Sequence, residues 1–198
     1  MRTVELDERA VRATVTVVAQ ISPDDLSSPT PCASWDLAAL LAHMVAQHRG
    51  FAAAAEGRGA DREIWVPKPL GPEPLSEYAE AAETVISAFA APGRLDAPFH
   101  LPEIGARPIP GRLAIAFHFV DYVVHGWDVA RTIGVPYELD DDLLAAALPI
   151  AEGVPDDAGR LAPGAAFAPS VPDPGTGPLD RILALLGRHP GENVVPPR

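Results

Sequence analysis

The sequence holds a single cysteine, Cys32, which excludes an intramolecular disulfide and suits a reducing cytosol. Positive charge is scarce: 15 Lys and Arg stand against 27 Asp and Glu, for a net charge of −12. No basic cluster is available to neutralise phosphates, which argues against nucleic acid as a partner. The same acidity disfavours an anionic membrane surface. Long apolar runs are missing, so no bilayer span is expected. Residues 1–9 lack the apolar stretch of a signal peptide. Phosphate loops, GxGxxG and GxSxG are absent too, which removes the commonest nucleotide and serine-hydrolase signatures. What remains is a cytoplasmic protein, monomer or homodimer, whose partner is a small molecule.

Apolar residues make up 47% of the 198 positions, enough for a real core. The 23 prolines and 16 glycines crowd into 67–74, 92–111 and 155–178, which marks connections rather than elements. Between them lie helical stripes. Leu6, Ala10, Val11, Val15 and Val18 predict a first helix over 5–21. A second follows Ser34 as N-cap, with Asp36 in its first turn, and runs through Phe51 towards Gly57. Leu75 to Phe89 forms the third and Arg112 to Gly134 the fourth. A fifth, Leu143–Ala151, starts at Asp140 or Asp141 and should be kinked or shortened by Pro149. Leu179–Leu186 closes the series. Trp65 should anchor the loop 58–74, and a short hairpin is expected around Glu103–Ala106. The class is all-α: an up-and-down four-helix bundle over 1–153, with a Pro-rich tail and short helix over 154–198.

The most informative stretch is 113–131, nearly all apolar yet interrupted by His118, Asp121, His125 and Asp128. Their spacing of three, four and three places polar groups along one side of a buried helix. Burying imidazoles and carboxylates is costly unless they are hydrogen-bonded, paired or bound to a metal. Asp121 and His125 lie one turn apart, as ligands of bundle sites often do, and His43 on the second helix is the natural third partner. Two imidazoles and a carboxylate leave an open position on zinc, and the same set suits Fe(II). The alternatives are a mutual Asp121–His125 hydrogen bond and, for His43 alone, a satisfied core histidine. Asp128 reads as a residue that bonds a loop or pairs with an Arg and so orients the site indirectly. His118 is expected beside the site, and Cys32, with nothing nearby to activate it, as buried and inert. His48 and Trp127 read as core or pocket wall, His100 and His189 as incidental, and Asp140–Asp142 as a helix start.

Three stretches carry a family likeness. Thr30-Pro31-Cys32-Ala33-Ser34-Trp35-Asp36-Leu37 with Leu40-Leu41-Ala42-His43-Met44 resembles the start of the DinB-like domain. That four-helix domain forms the N-terminal part of mycothiol-dependent maleylpyruvate isomerase. Asp121-Tyr122-Val123-Val124-His125-Gly126-Trp127-Asp128-Val129-Ala130 is similar to the second metal-binding segment of its small actinobacterial members, and Leu179–Gly187 to their tail. The resemblance implies that His43, Asp121 and His125 bind a divalent metal, usually zinc. It also implies mycothiol or a similar low-molecular-weight thiol as cofactor, whose coordinated sulfur adds to a small electrophile. Asp121 stands where the isomerase has a glutamate, and the isomerase's substantial C-terminal domain is replaced by the Pro-rich tail.

The first expectation is therefore a metal-dependent, thiol-using transferase or isomerase, with His118 assisting proton transfer. A metal-dependent hydrolase and a non-catalytic metal or small-ligand module are the alternatives.

Overall fold

The structure, a computed structural model, describes residues 2–32, 35–162 and 165–191. Six α-helices carry the described residues: α1 Arg2–Val18, α2 Leu37–Ala55, α3 Pro74–Ala90, α4 Gly111–Ile133, α5 Asp141–Glu152 and α6 Pro178–Leu185. Two-residue strands, β1 Pro98–Phe99 and β2 Ile109–Pro110, pair antiparallel with Phe99 opposite Ile109. The expected hairpin exists, with its strands flanking residues 103–106 rather than within them. The fold is all-α, as the periodicity requires.

Helix starts and stops follow local chemistry. Ser34 lies outside the described residues; the N-cap of α2 is Asp36, whose carboxylate accepts from the Ala39 N–H at 2.8 Å. Gly134 ends α4 in the left-handed region at φ 73°, which costs glycine no steric strain. Pro149 does not shorten α5, which runs on to Glu152. The carbonyl that loses its partner to the proline ring belongs to exposed Ala145, so it stays open to solvent.

Around the bundle α1 packs beside α4 and α3, while α2 packs beside α3 and, less closely, α4. The long connection over residues 19–36 allows α1 and α2 to stand across the bundle from one another. The wider α2–α4 spacing leaves room for the imidazoles of both helices. One apolar core joins Val11, Leu41, Val124, Leu143 and, from the tail, Ile182, Leu183 and Leu186. Each such buried side chain contributes roughly 1.5–3 kcal/mol relative to exposure. A second core gathers Phe51, Trp65, Phe89, Phe99 and Ile115. Trp65 anchors its loop as expected: it is 6% exposed and donates to the Gly59 carbonyl at 2.9 Å. Gly50 makes this seat possible, because a Cβ there would come within 2.4 Å of the indole.

Candidate metal centre

Two helices supply the candidate ligands. His43 projects from the middle of α2, and Asp121 and His125 project from successive turns of α4. Each offers one donor atom, and the three atoms lie within 4.8 Å of one another. His125 Nε2 stands 3.5 Å from Asp121 Oδ1. That gap is long for a hydrogen bond and matches the roughly 3.3 Å between neighbouring ligands of a tetrahedral cation with bonds of about 2.0–2.1 Å. The His43 and His125 rings meet edge to face with centroids 5.4 Å apart. The donor chemistry fits a divalent cation: two nitrogen bases, one carboxylate, and a partly exposed Asp121 side on which a further ligand can enter.

Electrostatics prepare the two imidazoles differently. Burial pushes His43 down to about 4, with the His125 charge adding to the effect against Asp121, so the imidazole is neutral and its lone pair free. Burial also opposes charge on His125, but the Asp121 carboxylate and the Asp128 hydrogen bond outweigh it and hold its pKa well above the ordinary value. The raised pKa of His125 favours a proton on Nε2, the nitrogen that faces Asp121. A metal would take that proton's place.

Behind the ligands lies a second layer. His125 Nδ1 donates to Asp128 Oδ2 at 2.9 Å. Asp128 is fully buried, and although burial opposes its charge, Arg188 and His125 hold its carboxyl below the usual range. An ionised carboxylate only accepts, so the hydrogen sits on Nδ1 and Nε2 faces Asp121. Arg188 Nε and Nη2 grip Asp128 Oδ1 and Oδ2 at 3.2 and 2.8 Å. The same Nη2 lies 2.8 Å from Cys32 Sγ, which lies 3.4 Å from Asp128 Oδ2. Cys32, expected to be buried, is half-buried, and its thiol lies against a guanidinium that the sequence reading did not place there. Cys32, His125 and Asp128 also lie close enough to suggest a cation site. Arg188 already supplies the positive charge there, and a metal beside it would be repelled.

His118 is not part of the triad. It is fully buried, with Nδ1 2.6 Å from Asp7 Oδ1 and Nε2 3.2 Å from His48 Nδ1. Burial raises the Asp7 carboxyl and lowers His48 well below its ordinary value. His48 is core, stacked on Tyr122 at 4.1 Å. Trp127 is partly buried against the main core, and the acidic start of α5 meets Arg9, which pairs with Asp140 and Asp142.

Sequence reasoning missed Arg188 and Asp7. Asp7 had a signal, since it lies three, four and seven residues before Ala10, Val11 and Thr14 on the buried face of α1. Arg188 had only the expectation that Asp128 would find an Arg.

An open cleft of ≈ 550 Å³ runs along α2 to His43. Trp35, Leu26, Pro67, Pro69 and Leu70 form apolar walls, and Trp35 stands 4.6 Å from the His43 ring. The tip of the 58–74 loop thus forms one side of the approach to His43.

Residues 8–130 match the model of the mycothiol maleylpyruvate isomerase N-terminal domain, and the chain belongs to that family. Two uncharacterised proteins of Mycobacterium tuberculosis, from strains CDC 1551 / Oshkosh and ATCC 25618 / H37Rv, are each 31% identical to it over 189 residues. The alignment covers 91% of this chain and 94% of each relative. No solved structure matches significantly. Among the described residues no helix is long and apolar enough to cross a membrane.

Proposed function

We propose that the protein is a metal-dependent enzyme that uses a low-molecular-weight thiol of the mycothiol type to attack a small electrophile, as a transferase or isomerase. The single observation that carries this reading is the donor set of His43, Asp121 and His125 within 4.8 Å, beside an open cleft. Zinc suits the set best, since it accepts two nitrogens and one oxygen and keeps a fourth position for a ligand. When bound, such a cation acidifies a coordinated thiol and holds it as the nucleophile.

The chain's own groups supply the rest. His43 presents a neutral base, and Asp121 brings the one negative charge of the triad. Asp128 keeps the proton of His125 on Nδ1, so that Nε2 faces the cation. Trp35, Leu26 and the proline-rich loop tip offer apolar walls that limit water beside His43 and fit the carbon skeleton of an electrophile.

A direct assay mixes protein, thiol and a conjugated electrophile, with and without chelator. Thiol- and metal-dependent consumption of the electrophile is expected. Equal rates in both arms would remove the proposal, and ester turnover without thiol would replace it with the metal hydrolase.

A further inference from the structure

Arg188 follows Asp128 by 60 residues in the chain, yet its guanidinium is almost fully assigned. It is 4% exposed. Nε and Nη2 reach the two oxygens of Asp128, Nη1 donates to the Leu186 carbonyl at 3.0 Å, and Nη2 also meets Cys32 Sγ. The backbone sets this up. Gly187, at φ 78°, turns the chain after α6, and the Arg188 N–H bonds back to the Leu183 carbonyl at 2.9 Å. Phe167 lies 5.8 Å from the guanidinium carbon on its ring side. A planar fork of this kind matches a carboxylate bidentately, which a lysine cannot do.

Asp128 has only two oxygens, and both are spoken for by Arg188 while Oδ2 also accepts from His125. Without the guanidinium, the carboxylate would be a buried charge held only through Oδ2, by His125 and the weak donor Cys32, with Oδ1 left unpartnered. His125 would then lose the partner that fixes its ring plane and tautomer. Partners of this kind behind a ligand alter metal affinity by about 10–100-fold.

We propose that Arg188 is a positioning residue of the metal centre: by clamping Asp128 it aims His125 Nε2, so the segment after α6 completes the site built by α2 and α4. This rests on the reading of His43, Asp121 and His125 as metal ligands. The clamp also joins Cys32, so one side chain ties the α1–α2 connection, α4 and the tail together.

The test uses the full chain, titrated with Zn²⁺ in competition with a chromophoric chelator and with Co²⁺ followed by visible absorption. Variants are Arg188→Gln, Arg188→Lys and Asp128→Asn, all measured well below their melting temperatures. For the parent protein one equivalent of metal is expected. Arg188→Gln and Asp128→Asn should each weaken Zn²⁺ by about 10–100-fold and shift the Co²⁺ bands, because His125 changes its approach. Arg188→Lys keeps the charge without the fork and should recover only part of the affinity. It also serves if Arg188→Gln fails to fold. A parent that binds metal while both Arg188 variants bind equally well, with unchanged Co²⁺ bands, would overturn the positioning role alone. Failure of the parent to bind either metal would overturn the ligand assignment and this inference with it.

Discussion

His125 is the residue on which the site turns, because it faces carboxylates on both nitrogens. Its proton must leave Nε2 before a cation can enter, whereas His43, at about 4, has none to lose near neutrality. Metal affinity should therefore rise with pH up to the raised pKa of His125, by about tenfold per unit for one released proton. Calorimetry in two buffers of different ionisation enthalpy would count that proton. The metal-free protein should behave in the opposite sense. A pKa raised above its unfolded value near 6.5 gives stability that is complete below that value and is lost as pH climbs through the folded one. Urea unfolding of metal-free protein between pH 6 and 9 should show that decline. Asp121→Asn, which keeps volume but removes charge, should cut metal affinity by at least about 100-fold, more than loss of an outer partner does; equilibrium dialysis reads it. Asp121 and His125 were legible as candidate ligands at this scale because the 3-4-3 spacing of polar groups in an apolar helix has few inexpensive explanations. Arg188 was not, because the pairing with Asp128 is made only when α6 docks.

At the scale of elements, α4 serves two polar sites two turns apart. His125 stands beside His43 of α2 and, through Asp128, reaches Arg188 of the tail, while His118 meets Asp7 of α1 and His48 of α2 in the core. That buried chain fixes α1 against α4. Asp7→Ala leaves His118 Nδ1 without its partner and should cost about 2–3 kcal/mol of unfolding free energy, measured by urea titration. Gly126, between His125 and Trp127, belongs to the same junction. A Cβ there would stand 2.2 Å from Tyr137 Oη and 2.8 Å from Thr14 Cγ2. Gly126→Ala should therefore destabilise by about 1–3 kcal/mol through overpacking, read in the same assay. Periodicity located all six helices, since each buries a stripe against a neighbour. It misplaced the α2 cap by two residues, because Ser34 and Asp36 are both good caps and only the fold decides between them.

For the whole molecule, the consequence is coupling between a cation and the fold. The candidate ligands lie on two helices that approach less closely than their neighbours, so a metal would bridge a loose seam of the bundle. At a free concentration about 100 times its Kd, a ligand specific for the native state adds about 2.7 kcal/mol. For a chain of this length that corresponds to a melting shift of about 5–10 °C, reversed by chelator. The acidic surface and the Pro-rich connections were readable from composition. The order of helices around the bundle was not, because it depends on how residues 19–36 cross one end. The most direct measurement is elemental analysis of the purified, metal-reconstituted protein beside His43→Ala and His125→Ala. About one equivalent of divalent metal is expected in the parent and almost none in either variant. A parent without metal, or variants that retain it, would contradict the assignment of the site.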